Sequence, residues 1–538
     1  MAENKAWILC WSPVSQIVIL LLIIYCIYRR GCPKPIPGIP YNAEALNNFM
    51  GDVTIRPRPD GQAPRDWLGG LGNRHNYPLV QIFVGPFARP SLILFDYWEA
   101  YDICHRRTKE FDKSSRNTDI FALIVPNNHG AMKSADPRFR SNKELVKDLM
   151  SPTFMNQVSA PELHKKALSL IQLWRLKMDK ANGRSFEAGR NISDYASDAI
   201  LSASFGQSHE TTLVSTQIEH VKRTAVDIPD SMDEPTWFMQ GFTKLGKYYK
   251  TKDGFLRKKV QQSVSKMSSS SEEGIRSALD HLIMREVKAA AKTGREPQVT
   301  SLQITDEMMG YIVAGYETSS ATISWAVKYL TDFPNLADTL RRHLHVVYQE
   351  AREENRYPTA SEIVRIRAPY LDAFMEETFR YILGHWVPKG TTIWFYNHGP
   401  GFLKPEIKAH DVRPSRSSQA DKQRVHPWPE DDIDNFKPER WLRPKAGVDK
   451  AKLATDVQDH NYSDFDFDKK AGPIMTFGAG PRGCFGQRLA HLELRIFLVL
   501  ILWEFELLPC PESLNTFTPV HGTSTHPRDC YVRLKLLV

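Results

Sequence analysis

One cysteine of the chain lies in surroundings that suit a metal ligand. Residues 477–486 read FGAGPRGCFG and place the thiol of Cys484 among four glycines. Glycine allows a tight loop and lets the backbone approach a flat ligand closely. A helix is predicted over Gln487–Trp503, and the N–H groups and dipole at its start favour an anion beside Cys484. Because cysteine binds metals as the thiolate, the pattern indicates a metal-ligating sulfur, and Arg482 could pair with a carboxylate of the ligand.

The other cysteines indicate neither a disulfide framework nor a second metal site. The chain has seven cysteines at irregular spacing, and no two of them form a C-x-x-C pair. An odd number in so long a chain does not suit a disulfide framework, and the spacing does not suit zinc. We interpret most of them, including Cys510 and Cys530, as small buried apolar residues.

An acid and a hydroxyl are adjacent within the longest predicted helix. Glu317 and Thr318 lie in the middle of a helical pattern over Thr305–Leu330, which Pro334 ends. In isolation, the simpler interpretation is a threonine bonded to its own helix carbonyl and a glutamate facing solvent. Beside a reaction that consumes protons, the same pair could supply them.

Three charged residues from two separate segments form a candidate ion network. Glu377 and Arg380 are three positions apart, on one face of a helix predicted over Pro369–Tyr381. Arg440 lies in a later segment, FKPERW at residues 436–441. For a random E-x-x-R sequence, an ordinary surface pair worth a few tenths of a kcal/mol is the simpler interpretation.

Together these segments resemble the cytochrome P-450 superfamily. The haem-binding signature of that family, F-x-x-G-x-R-x-C-x-G, is matched at Phe477, Gly480, Arg482, Cys484 and Gly486. The motifs AGYET, E-x-x-R and F-x-P-E-R-W precede it in the family order. The resemblance implies a mostly α cytochrome P-450 fold with a minor β domain, preceded here by one N-terminal transmembrane helix.

The resemblance implies a role for each candidate residue. Cys484 would be the axial ligand of the iron of haem b, in a cofactor-binding loop completed by Phe477, Gly480, Arg482 and Gly486.

Within the long helix, Thr318 would hold dioxygen and a water, Glu317 would relay protons, and Gly315 would leave room for dioxygen. Glu377, Arg380 and Arg440 would form a buried network with a structural role.

The implied function is that of a haem-thiolate monooxygenase, which inserts one oxygen atom from dioxygen into a small apolar substrate. No G-x-G-x-x-G follows a predicted strand, so we expect electrons from an NADPH-dependent flavin reductase. The net charge of +8 suits an acidic partner. No basic run is interleaved with aromatic residues, so no nucleic-acid partner is expected. Residues 397–400 and the polar insert that follows them resemble fungal members, which favours a step in secondary metabolism.

The N-terminus predicts a membrane anchor. Residues 6–28 carry no charge, and Arg29 and Arg30 follow at once. A helix of ~20 apolar residues crosses a bilayer, and its basic flank stays in the cytoplasm. A cleaved signal peptide is the alternative, but the run is long and offers no small-x-small site. We therefore expect an anchor at residues 1–30, a Pro-rich hinge at 31–45 and the monooxygenase domain at 46–538, single-pass in the endoplasmic reticulum membrane with the catalytic domain cytoplasmic.

The body of the chain has the composition of a globular protein. Apolar residues make up 42% and charged residues 25% of 538, enough for a sizeable core. The sequence pattern shows no obvious boundary that would divide the body into two independent hydrophobic cores. Strands are predicted at Leu79–Val84 and Ser91–Phe95, as a hairpin around Gly85 and Pro86. Residues 399–429 read as a loop.

Two features depart from the family pattern. The early helix offers Arg138, Arg140 and Lys143 for the haem propionates without indicating which of them makes the contact. Only seven residues, Tyr381–Val387, follow Arg380 before Pro388, where the family has a connection several times longer that passes the haem and adds a strand. One alternative is therefore an inactive haem-binding remnant or a mis-assembled gene product. Another, against which the acid and hydroxyl pair argues, is an oxygen-independent haem-thiolate isomerase or dehydratase.

Overall fold

The computed structural model of the chain describes most of its residues, in two compact units. The described residues are 13–55, 64–206, 212–223, 245–269, 277–380, 392–396, 402, 405–408, 414–424, 428, 432–433, 435–448, 462–521 and 524–537. The first unit comprises Met1–Ser114 and Gly384–Arg424, and the second comprises Ser115–Leu383 and Val425–Val538.

The first unit opens with the helix Pro13–Gly31. Its segment Val14–Gly31 is long and apolar enough to cross a membrane, and only 6% of that segment is buried within the protein. A core helix of similar composition would be largely buried, so the exposed apolar side chains favour an anchor. Arg29 and Arg30 lie in its last turn, as the sequence indicated.

A three-stranded sheet forms the centre of the first unit. The predicted hairpin is confirmed, with Leu79–Ile82 antiparallel to Ser91–Leu94. Thr392–Phe395 adds a parallel strand beside Ser91–Leu94. The sheet therefore contains a strand shortly after the short connection, although residues 381–391, which include that connection, lie outside the described residues. The helices of this unit after the first are Asp52–Ile55, Pro64–His75, Tyr97–His105 and Arg416–Arg424.

The helix Arg416–Arg424 was not expected, since residues 399–429 read as a loop. Its sequence, RSSQADKQR, has no apolar periodicity to signal a helix. Polar tertiary contacts hold it instead: Glu99 accepts from Ser415 N at 2.9 Å and from Ser418 Oγ at 3.1 Å. Such contacts between distant segments are invisible to a pattern search along the sequence.

The second unit is built around the helix Leu302–Asp332, here called the central helix. Ser301 caps its start by accepting a hydrogen bond from Ile304 N. Its end is set by Pro334, which opens the next helix, Pro334–Val347. The prediction of Thr305–Leu330 is therefore confirmed, with about a turn added at the start. Nearly all side chains from Ser319 to Thr331 are buried, as expected for the core of a large helical unit.

Two further helices matter for the candidate site. The Cys484 helix, Gln487–Glu504, follows the glycine-rich loop as predicted, and the Tyr195 helix is Gly189–Phe205. Trp174 and Tyr195 pack on Phe497 with ring centroids 6.2 and 5.8 Å away. Burying an aromatic side chain of this kind contributes roughly 1.5–3 kcal/mol. The other α-helices of five or more residues in the described part of this unit are Ser115–Ala122, Pro137–Val146, Ala160–Ala181, Leu213–Arg223, Leu245–Ser269, Ala278–Thr293, Pro334–Val347, Gln349–Glu353, Ala360–Arg365 and Pro369–Arg380.

Short strands complete the second unit. Phe186–Glu187, Tyr531–Leu536 and Phe505–Leu508 form one antiparallel sheet in that order. Leu442–Pro444 pairs with Phe465–Phe467. Pro519–His521 pairs with Thr525–Pro527 in what we call the C-terminal hairpin. A mostly helical chain with small sheets agrees with the predicted fold class.

Candidate active site

The loop before the Cys484 helix has the geometry that its glycines suggested. Gly478 and Gly480 have φ of +64° and +63°, a region that side chains other than glycine rarely adopt. The amide of Cys484 donates to the carbonyl of Phe477 at 2.6 Å and closes the loop. The side chain of Cys484 is exposed, and a Cβ at Gly486 would lie 4.0 Å from its sulfur. The loop thus presents a thiol at the start of a helix, where the backbone dipole favours the thiolate.

Aromatic packing holds this loop against the helix Pro369–Arg380 and the Cys484 helix. The ring of Phe477 lies 4.9 Å from that of Phe379 and 5.1 Å from that of His491. Thr476 Oγ1 donates to the carbonyl of Phe379 at 2.6 Å, which ties the loop to the helix Pro369–Arg380. Phe477, predicted as a cofactor-binding residue, therefore also anchors the loop by packing.

Two cations from distant positions meet beside the loop. Arg482 Nη2 donates to the carbonyl of Met132 at 2.6 Å, and Lys143 Nζ donates to the carbonyl of Pro481 at 2.6 Å. Burial, and next the guanidinium of Arg482, lower the pKa of Lys143. An anion bound here would relieve that repulsion between like charges.

Lys143 is thus the early-helix cation that the structure brings to the loop. It lies on the helix Pro137–Val146, which also carries Arg138 and Arg140. Arg138 pairs with Asp136 at 2.8 Å, and Arg140 is exposed. The sequence offered all three without a basis for choosing among them.

The central helix has an open stretch at the predicted acid and hydroxyl. Ala314 and Thr318, one turn apart, are exposed, whereas the helix beyond them is buried. Thr318 Oγ1 donates to the carbonyl of Ala314 at 2.7 Å. This bond is the simpler alternative considered for a threonine within a helix, and it leaves the hydroxyl oxygen able to accept from a ligand.

The contact of Gly315 differs from the expected one. A Cβ there would lie 2.6 Å from Cδ1 of Ile200, on the Tyr195 helix. The close approach of two helices therefore accounts for a glycine at this position.

Glu317 has a partner that the sequence did not indicate. His526, in the C-terminal hairpin, places Nε2 3.4 Å from Glu317 Oε1. Both side chains are 31% exposed, so water can reach the pair. More than two hundred residues separate the two in the chain, and a lone histidine before a proline carries no sequence signal.

Glu493 is a second group that was missed. It lies on the Cys484 helix, is fully buried and contacts Ser319 of the central helix; burial raises its pKa to about 8. Glu493 is the only acid in the mainly apolar stretch from Leu489 to Leu502, and this was a signal that could have singled it out.

Two members of the predicted ion network come together. Arg440 Nε lies 3.3 Å from Glu377 Oε1, and these side chains are only 4% and 0% exposed. Glu377 also accepts from Lys437 N and from Trp441 Nε1, at 3.0 and 2.7 Å. The side chain of the third member, Arg380, lies outside the described residues. Because a buried charge needs both an opposite charge and hydrogen bonds, this cluster ties the two segments together.

These features fit a haem. Within the described part of the chain, no three His, Cys, Asp or Glu side chains are grouped to hold a metal ion. A single exposed thiol such as Cys484 would suit an iron whose remaining ligands come from a macrocycle. Arg482 and Lys143 place positive charge beside the loop, which would suit a ligand that carries carboxylates.

Comparisons with known proteins agree with this fit. A family model described as Cytochrome P450 matches residues 72–388 and 423–532. The cytochrome P450 monooxygenase TRI13 of Fusarium sporotrichioides is 31% identical, with 96% of this chain and 98% of the relative covered. A monooxygenase of the Hps1-dma1 cluster of Dothistroma septosporum is 44% identical over 54% of this chain and 98% of its own length. The crystal structure of a cytochrome P450, CYP102L1, has a TM-score of 0.64 and 16% identity, covering 94% of this chain and 100% of that one.

The alignment with TRI13 contains gaps in this chain. It extends over 584 positions, more than the 538 residues of this chain. That relative must therefore contain residues that this chain lacks.

Proposed function

The chain belongs to the cytochrome P450 family, and from this premise we propose that it oxidises a small apolar substrate of fungal secondary metabolism. The family is one of haem-thiolate oxidoreductases, and full-length relatives are named monooxygenases. The observation that carries the proposal is the exposed thiol of Cys484 at the start of a helix, in a glycine-rich loop beside Lys143 and Arg482.

We assign the cofactor contacts to side chains of this loop and its surroundings. Cys484 would ligate the iron as the thiolate, and the haem would supply the activation of dioxygen. Arg482 and Lys143 would bind its carboxylates. Phe477, packed between Phe379 and His491, would keep the loop in place, and Gly480 and Gly486 would keep it narrow.

Protons would reach the reaction through the central helix. Inserting one oxygen atom into a substrate and reducing the other to water takes two electrons and two protons. Glu317, open to water, would take up protons, and Thr318 would orient a water or dioxygen with its hydroxyl. Both side chains lie on a helix that is otherwise largely buried. Protons from water would therefore enter along the stretch of the helix that carries Glu317 and Thr318.

The site of action would be a membrane surface. Pro13–Gly31 would anchor the chain in the endoplasmic reticulum, with Arg29 and Arg30 on the cytoplasmic side. An NADPH-dependent flavin reductase would supply the electrons. An apolar substrate dissolved in the same membrane would reach the protein without crossing much water.

The ferrous carbon monoxide spectrum of membranes that contain the protein tests the assignment of the ligand. The wild type should give a thiolate-type Soret band. Cys484→Ser should lose that band even where haem is retained, because a hydroxyl is a poor soft ligand. Cys510→Ser is the matched control and should keep the band. A Cys484→Ser protein with an unchanged band would contradict the assignment. Product formation that needs neither oxygen nor NADPH would instead identify an isomerase or dehydratase.

A further inference from the structure

The acid and the hydroxyl of the central helix are held by different partners. Thr318 Oγ1 donates to the carbonyl of Ala314 at 2.7 Å within the helix. Glu317 Oε1 lies 3.4 Å from Nε2 of His526, which belongs to the strand Thr525–Pro527. Adjacent residues of a helix point about 100° apart, so the neighbours in sequence reach different surroundings. The acid faces the C-terminal hairpin.

The C-terminal hairpin is fixed to the central helix, so the position of His526 is set by the fold. Trp325 Nε1 donates to the carbonyl of Thr525 at 2.8 Å. Thr525 and Pro527 are buried, whereas His526 between them is half-buried. Alternate residues of a strand point to opposite sides, which leaves the imidazole on the more open side. The histidine is therefore held next to Glu317 and in contact with water.

His526 is the contact of Glu317 that is suited to bring protons from neutral water. Tyr316 of the same helix interacts electrostatically with Glu317, and also with Asp194 of the Tyr195 helix. Burial raises the pKa of Tyr316, whose hydroxyl contacts Ser193 Oγ at 2.9 Å, so the phenol stays neutral. Asp194 is an acid and cannot attract a carboxylate. Histidine gains and loses a proton close to neutral pH.

We propose that His526 is a positioning residue. It holds the side chain of Glu317 against the C-terminal hairpin and supplies it with protons from solvent. The imidazolium of His526 pairs with the carboxylate, transfers its proton to it, and takes another from water. Glu317 then passes the proton toward the open face at Thr318. This inference rests on the proposed function, because it needs a reaction that consumes protons at the central helix.

The first test measures the pairing itself and needs no turnover. The imidazole of His526 is observed by NMR in full-length protein labelled with 13C-histidine, with His526→Gln to assign the signal. At pH 7 the ring-carbon chemical shift of His526 should differ between the wild type and Glu317→Gln, because the substitution removes the carboxylate that contacts the imidazole. Equal chemical shifts in the two proteins would overturn the proposal.

The second test measures what the pairing does. Peroxide formed per NADPH consumed is recorded from pH 6 to pH 8 in membranes with a flavin reductase. In the wild type the ratio should rise with pH, because fewer protons are available in water to pass through His526 to Glu317 as the pH rises. In His526→Gln it should be high at every pH. His521→Gln, in the opposite strand of the hairpin, is the matched control and should follow the wild type.

The results distinguish a wrong role for His526 from a wrong proposed function. If His526→Gln keeps the pH profile of the wild type while Glu317→Gln raises peroxide at all pH values, the relay stands and the role of His526 is wrong. If Glu317→Gln also leaves the ratio unchanged, the relay assigned to the central helix is wrong. Without any NADPH-dependent uptake of oxygen, the proposed monooxygenase reaction fails, and the inference fails with it.

Discussion

Replacing Glu493 with glutamine should stabilise the protein increasingly as the pH rises. The carboxyl group lies in the core of the second unit, between the Cys484 helix and the central helix, and contacts Ser319. Burial raises its pKa from 4.5 to about 8. The folded protein therefore keeps a proton at neutral pH that the unfolded chain releases.

The sign and size of the stability change follow from the difference between the pKa of Glu493 in the folded protein and in the unfolded chain. A carboxyl group whose folded pKa is raised costs nothing below pH 4.5, and the cost grows until the pH passes about 8. At 1.36 kcal/mol per pKa unit, the cost is about 1 kcal/mol at pH 5, about 3 at pH 7 and about 5 at pH 9. Burial also raises the pKa values of the neighbouring phenols, Tyr195 and Tyr311, so neither titrates in this range.

The assay is the melting temperature of Glu493→Gln minus that of the wild type, by circular dichroism at one scan rate. An unfolding entropy of ~2 cal/mol/K per residue gives ~1 kcal/mol/K for ~500 residues, so the difference should grow from about 1 °C at pH 5 to about 5 °C at pH 9. The new amide can also change the melting temperature by an amount that does not depend on pH. The test is therefore how the difference in melting temperature changes with pH. Glu350→Gln, at an exposed glutamate, should give a flat difference. A flat difference for Glu493→Gln as well would refute the reasoning.

Two further changes test the site and the anchor. Thr318→Ala should raise the peroxide released per NADPH by several-fold while leaving the carbon monoxide spectrum intact, because its hydroxyl lies on the open stretch of the central helix away from the loop contacts; a lost spectrum would show that it acts in folding instead. Deleting residues 1–30 should make the protein easier to extract from membranes, on which part of it should still sit, since Pro13–Gly31 exposes its apolar side chains. Added protease should digest the body in intact microsomes, and protection of the body would contradict the cytoplasmic orientation.

Local patterns predicted the elements that carry most of the site. The cysteine loop, the Cys484 helix and the central helix follow from glycine spacing, apolar periodicity and Pro334, all of which act over a few residues. The sequence also allowed the pairing of Glu377 with Arg440, through the family resemblance.

Contacts between distant segments could not be predicted in the same way. Neither the approach of His526 to Glu317 nor that of Lys143 to Pro481 leaves a periodic trace, because each depends on how whole elements pack. The contact of Gly315 with Ile200 could not be predicted either. The motif includes a glycine at this position, but the sequence did not indicate that the glycine packs against Ile200.

The short connection after Arg380 leads to the prediction that a longer form of this protein exists or once existed, and that the chain as it stands binds haem poorly. Seven residues, Tyr381–Val387, reach at most ~25 Å when fully extended. They can join two elements, and the strand Thr392–Phe395 does form beyond them, but they cannot also build a wall over a cofactor. Water entering through the missing wall would weaken the electrostatic interactions on which oxygen activation depends.

Sequencing the mature transcript and expressing both forms in parallel is the measurement. We expect the form with extra residues between Arg380 and Leu383 to give several-fold more of the thiolate-type carbon monoxide complex per unit of protein. Long connections can shorten without breaking a core, so a short form that is the only transcript and turns over substrate would contradict this reasoning. The pocket would then have to be closed by other residues of the chain.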